Sequence, residues 1–252
     1  MTANFRYAVL AAVLAMTLPT SGLVAQEFSQ DQREELGEII RDYLIENPEV
    51  LREAVQALER KEQEVAAAAA TAAISERGAE IYRSDGDLVA GNPYGSVTLA
   101  EFFDYNCGYC KRSMSDVLEL IKSDDDLRVV FKEWPILGED SRFAAKAALA
   151  SRRQDKYWEF HLALMQARSL NEATTLEVAE SIGLDVEQLK ADMQHPDVSA
   201  VIDRNMRLAA ALGIQGTPAF FIDDQMIAGA VGYDALAQVI GQVRDKGGCT
   251  VC

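Results

Sequence analysis

The sequence predicts an α/β domain with an all-helical insertion, preceded by a long helical arm. Three observations carry that prediction. Two strand candidates, "VTLAEFFDY" (97–105) and "LRVVFKEW" (127–134), flank a helical stretch from Cys110 to Ser123. From about 138 to 212 every pattern is helical, in several pieces: "DSRFAAKAALASRRQ", "KYWEFHLALMQ", "TTLEVAESIG", "VEQLKADM" and "VSAVIDRNMRLAAAL". Then "AFFID" and "QMIAGA" form a hairpin candidate around Asp223-Asp224, followed by a last helix over about 233–244. Strand–helix–strand, a helical block, then hairpin and helix is an α/β layout.

The arm comes first. Residues from Ser29 to about Arg83 are helical in pattern, with one interruption. "SQDQ" can form a capping box, with Ser29 capping and Gln32 reaching back. Leu36, Ile39, Ile40, Tyr43 and Leu44 follow at helical spacing. "ENPEV" restarts the helix, Asn47 as cap and Pro48 at the first helical position. Leu51, Val55, Leu58 and Val65 then continue a seam of coiled-coil spacing. Such an apolar stripe needs a surface to cover it, either the protein's own domain or a second copy; the stripe's length and the polar linker after it favour self-association. "SDGDLVAGNPYGS" (84–96) is turn-rich and marks the boundary. The expected organisation is therefore an arm at 26–83, an α/β domain at 84–246 with its insertion at about 138–212, and a flexible tail at 247–252.

The first residues are expected to be removed. Arg6 supplies a positive start, Tyr7 to Leu18 form an apolar run, and small residues follow, with cleavage after Ala25. The run is too short for a spanning helix. An exported, soluble mature protein is expected, and in that compartment disulfides are permitted. The 252 residues carry a formal charge of −16, which argues against nucleic acid or an anionic membrane as partner. Four cysteines are too few for a disulfide-dense scaffold, so the fold rests on burial of its 49% hydrophobic residues.

Those cysteines form two pairs, "CGYC" at 107–110 and "CTVC" at 249–252. A structural zinc site would need two more ligands near Cys107 and Cys110. The second pair is far off on the tail, His161 lies within a helical pattern, and His195 precedes Pro196 in a loop with no partner nearby. A redox couple fits better. The first pair follows a strand and opens a helix, so Cys107 sits at a helix N-terminus, where unpaired N–H groups and the dipole stabilise a thiolate. Cys107 is then the nucleophile and Cys110, one turn on, the resolving thiol. Glu101 lies six residues before Cys107. It is either an acid buried beneath the pair, able to exchange protons with Cys110, or a surface strand charge. Gly108-Tyr109 has neither proline stiffening nor a histidine charge, so a less oxidising couple is expected than a histidine-containing motif would give. Pro218, in "GIQGTPAFFID", stands at the start of a strand, as a cis proline or an ordinary trans turn proline.

"EFFDYNCGYC", the helical block and "GTPAFFI", in that order, resemble the DsbA-type thiol–disulfide oxidoreductases of the bacterial periplasm over roughly residues 84–246. The resemblance implies a thioredoxin-like fold with an inserted all-helical domain. It also implies a cis Thr217-Pro218 peptide lying against Cys107, with Glu101 in the buried acid position. Gly108-Tyr109 and Thr217 are similar to the DsbC-type disulfide isomerases. "IRDYLIENPEVLREAVQALE" looks like the oligomerisation region of ScsC-like proteins, some of which are trimeric. On this resemblance the protein is an oligomeric, trimer-favouring isomerase or reductase acting on exported cysteine-containing clients. It would need no cofactor and be kept reduced by a DsbD- or ScsB-like membrane donor. An oxidase kept disulfide-bonded by a DsbB-like partner is one alternative, and a thiol protein sequestering copper(I) another. "CTVC" departs from the family pattern. A local disulfide, an accessory redox pair exchanging with Cys107–Cys110, and a metal clip all remain open for it.

Overall fold

The computed structural model describes residues 28–252; the expected signal segment, residues 1–25, lies outside the described residues. The chain divides into two compact units, one ending at Glu59 and one beginning at Arg60.

Helix α1 (Gln30–Glu46) opens on the expected capping box, Ser29 Oγ accepting from the Gln32 N–H at 3.2 Å and Gln32 Oε1 from the Ser29 N–H at 2.9 Å. Pro48 begins α2 (Pro48–Glu76), where its missing N–H costs nothing. Asn47 differs from expectation. It closes α1 rather than capping α2, its Nδ2 donating back to the Tyr43 carbonyl at 2.8 Å. Leu36, Ile39, Ile40, Tyr43, Leu51, Val55 and Leu58 are all exposed.

In the second unit the helical run breaks once more than predicted, at Arg77, before α3 (Gly78–Tyr82). A Cβ at Gly78 would lie 2.3 Å from the Val251 carbonyl oxygen, so only glycine admits the tail there. The turn-rich stretch also holds an unforeseen strand, β1 (Leu88–Gly91), antiparallel to β3 (Leu127–Glu133). Four residues among glycine and proline are too few to show a period. A five-stranded sheet runs β1–β3–β2–β4–β5, with β2 (Val97–Phe103) parallel to β3 and antiparallel to β4 (Ala219–Ile222), and β5 (Gln225–Ala228) closing the hairpin.

All seven residues of β2 are buried, as a central strand covered on both faces requires. Alternation sorts its side chains. Leu99 and Phe103 pack with Phe131, with α4 (Gly108–Ser123) and α10 (Tyr233–Asp245), and with the insertion. That insertion comprises α5 (Glu139–Ala150), α6 (Tyr157–Gln166), α7 (Glu172–Ser181), α8 (Val186–Asp192) and α9 (Pro196–Ala211). Ala100 and Phe102 pack on the other face with Ile74, Ile81, Tyr82, Trp134 and Leu212. Into that second face projects Lys132, fully buried, its Nζ 2.6 Å from both Asp87 Oδ2 and the Glu80 carbonyl. Arg204 of α9 donates to the other Asp87 oxygen at 2.8 Å. The charges thus fasten α3, β1, β3 and α9 together.

Candidate active site

The end of β2 delivers the cysteine motif. After Phe103 the chain turns through Asp104, Tyr105 and Asn106, and Cys107 stands at the N-cap of α4. Buried Asp104 holds this turn. Its Oδ1 accepts from the Asn106 N–H at 2.7 Å and from Ser141 Oγ at 2.8 Å, and its Oδ2 from the Ile136 and Leu137 N–H groups at 2.8 and 2.9 Å. Cys107 is 7% exposed and Cys110 fully buried, and both are free thiols. The opposite wall is the Thr217-Pro218 peptide, which is cis; Cys107 Sγ lies 3.3 Å from the Thr217 carbonyl oxygen.

The electrostatics separate the two thiols. A hydrogen bond from the Cys110 thiol holds the Cys107 pKa down at about 5, against the cost of burial, aided by Thr217 and the N–H groups of Tyr109 and Cys110. Burial pushes the Cys110 thiol far up, and its bond to Cys107 and the nearby Glu101 carboxyl add to this. Glu101 is fully buried in β2, and neither carboxyl oxygen has a hydrogen-bond partner. Burial, then the charge on Cys107, raises its pKa to about 8. Such an arrangement has a thiolate ready to attack a disulfide, a protonated second thiol one turn away, and a carboxyl able to take that thiol's proton.

Cys107, Cys110, Glu101, Thr217 and Pro218 therefore meet in one place. Asp104 and Asn106, not singled out from sequence, shape the turn before Cys107; only their adjacency to the motif hinted at it. His161 is buried core, its pKa lowered to about 3 by burial, with its ring stacked on Trp158 and Nδ1 3.0 Å from the Tyr105 hydroxyl. His195, expected to lack a partner, caps α9 and lies 2.7 Å from Asp197 Oδ1.

The second pair is a disulfide, Cys249–Cys252. Gly247 and Gly248, expected to make the tail flexible, instead take φ of 103° and 100°, a left-handed turn that glycine adopts freely. They fold the tail back onto the domain. Asp223 Oδ1 accepts from the Thr250 N–H and hydroxyl and the Val251 N–H at 2.6, 2.9 and 3.1 Å, and Arg83 Nε donates to the Cys252 main-chain oxygen at 2.6 Å. The Cys249 N–H bonds Ser96, just before β2, whereas Cys107 follows the other end of that strand. Cys252 Sγ lies 3.9 Å from the Thr98 carbonyl oxygen, and from there to Phe103 the strand runs roughly 17 Å, so the two pairs do not exchange directly within one chain.

A thioredoxin-like sheet with a helical insertion, and a Cys-x-x-Cys opposite a cis proline, define a class. The model of the DSBA-like thioredoxin domain matches residues 98–241, more than half of the chain, and the chain belongs to that family. A second model, the copper resistance protein ScsC N-terminal domain, matches residues 32–64. Among solved structures, the chain is 46% identical to a thioredoxin-like oxidoreductase from Silicibacter pomeroyi DSS-3, over 66% of this chain and 97% of that one, with a TM-score of 0.65. It is 30% identical to Proteus mirabilis ScsC in a transitional conformation, over 87% of this chain and 98% of that one, with a TM-score of 0.64. Disulfide bond formation protein D of Bacillus subtilis is 27% identical over 62% of this chain and 76% of its own. The first curated relatives matched are sodium/proton antiporters, such as NhaA 3 of Salinispora tropica, 28% identical over 65% of this chain. The chain spans about a quarter of their length, 26% in that case.

Proposed function

We propose that the protein is a thiol–disulfide oxidoreductase of the periplasm, working as an isomerase or reductase on exported cysteine-containing proteins. One observation carries this reading: two free thiols one helical turn apart, Cys107 a thiolate at neutral pH and Cys110 held protonated. The Cys107 thiolate attacks one sulfur of a wrong client disulfide; that S–S bond breaks, a mixed disulfide forms, and the departing client thiolate takes up a proton. In isomerisation a client thiolate then displaces Cys107, and no net oxidation occurs. In reduction Cys110 loses its proton to Glu101 and displaces the client, leaving a Cys107–Cys110 disulfide; a membrane dithiol donor restores it with two electrons and two protons.

Gly108-Tyr109, Thr217 and the arm's match to an ScsC N-terminal domain support the isomerase reading, with the exposed arm residues assembling copies into a trimer. A second reading, an oxidase, draws on the same low Cys107 pKa, because a stabilised thiolate makes the disulfide the stronger oxidant. Refolding of scrambled against reduced ribonuclease separates them. The protein is expected to rescue scrambled ribonuclease. Oxidation of the reduced client without rescue of the scrambled one establishes the oxidase instead, and stoichiometric copper(I) uptake without client turnover establishes neither.

A further inference from the structure

The cysteine motif is held on both flanks by one short segment of the insertion, residues 167–170 between α6 and α7. Asn106, immediately before Cys107, engages Leu170 in both directions: its Oδ1 accepts from the Leu170 N–H at 2.8 Å and its Nδ2 donates to the Leu170 carbonyl at 3.1 Å. The same Nδ2 reaches Ser141 Oγ of α5 at 3.2 Å. On the other flank, immediately after Cys110, the Lys111 ammonium donates to the Ala167 carbonyl and, at 3.4 Å, to that of Arg168. Among the described residues Lys111 makes no ion pair. Burial lowers its pKa, and the charges of Asp104 and the Cys107 thiolate oppose that shift. Carbonyl oxygens fix an ammonium without cancelling its charge.

We propose that Asn106 and Lys111 are positioning residues for Cys107, locking its turn to the insertion and holding a cation beside its thiolate. The groups facing Cys107 come from four places: Glu101 from β2, Asp104 from the turn, Cys110 and Lys111 from α4, and Thr217 from the loop before β4. Glu101 opposes a negative sulfur when it is ionised. Lys111 is the cation among them, which gives the insertion a share in tuning the redox couple. This inference rests on the reading of Cys107 as the attacking thiol.

The experiment is the rate of Cys107 alkylation by iodoacetamide in the full chain, from about pH 4 to 9, with the modified residue mapped by mass. The parent protein is expected to show a midpoint near the depressed thiol pKa. Lys111→Gln keeps a donor for the two carbonyls and removes the charge; Asn106→Ala removes the bond to Leu170. Each is expected to raise the midpoint and slow alkylation at acidic pH by about threefold to tenfold, the effect of half to one pKa unit. Lys111→Arg is expected to restore the parent profile. A parent midpoint at the ordinary thiol value overturns the reading of Cys107 itself. A low parent midpoint that Lys111→Gln and Asn106→Ala leave unmoved, with only the melting temperature lowered, overturns this inference alone. Lys111→Gln decides the matter even where Asn106→Ala does not fold.

Discussion

Glu101 is a carboxyl in the middle of a fully buried strand with no hydrogen-bond partner for either oxygen. Such a group costs stability once ionised. Its pKa is raised to about 8, so the folded state binds its proton more tightly than the unfolded chain does. The resulting stability is full below the ordinary carboxylate pKa and is lost as pH rises through about 8. Glu101→Gln is therefore expected to raise the melting temperature, more at pH 9 than at pH 6, as thermal unfolding across pH will show. The same substitution is expected to slow release of the mixed disulfide by Cys110 by about a hundredfold, the scale of a lost general base. Quenched-flow trapping of the mixed disulfide measures that step. Equal melting shifts at both pH values would contradict the raised pKa.

Among the elements, β1 and α3 are short and would not hold by themselves. Their anchor is the ion pair of Lys132 and Asp87, whose side chains are 0% and 1% exposed. Removing one partner of such a pair leaves a buried charge uncompensated. Asp87→Ala is expected to cost about 3–5 kcal/mol in denaturant unfolding, and pairing it with Lys132→Met is expected to recover much of that loss. The pattern "LRVVFKEW" announces a strand, but not that its lysine faces inward. That orientation needs the distant acid, supplied by a stretch whose glycines and proline suggest only turns. Asn106 and Asp104 escaped notice for the same reason: their partners, Leu170, Ser141, Ile136 and Leu137, are remote in sequence.

For the whole molecule, assembly is the property that separates an isomerase from a simple thiol oxidant. Residues Leu36, Ile39, Ile40 and Tyr43 of α1 and Leu51, Val55 and Leu58 of α2 expose an apolar stripe, and covering it stabilises by about 25 cal/mol per Å2 of apolar surface. Deleting residues 26–59, which carry the stripe, leaves the buried Ile74, Ile81 and Tyr82 in place. That deletion is expected to convert an oligomer into a monomer and abolish rescue of scrambled ribonuclease. Alkylation of Cys107 should persist. Light scattering on both proteins checks the first outcome, and unchanged mass would remove the arm from the account.

By itself the sequence determined the periodic and the punctuated parts: the helices of the arm and insertion, the strands around the motif, the capping box at Ser29, and a Cys-x-x-Cys at a helix start. These are local properties, set by side-chain spacing and backbone preference within a few residues. The family resemblance implied a buried Glu101 and a cis Thr217-Pro218 peptide against Cys107; only the tertiary structure decided that neither Glu101 oxygen finds a partner. It alone placed Lys132 inside, and it closed the terminal cysteines into a disulfide docked on Asp223, at the far end of β2 from the first pair. Burial and hydrogen bonding between remote residues govern each of these, and no local pattern encodes which distant atoms will meet.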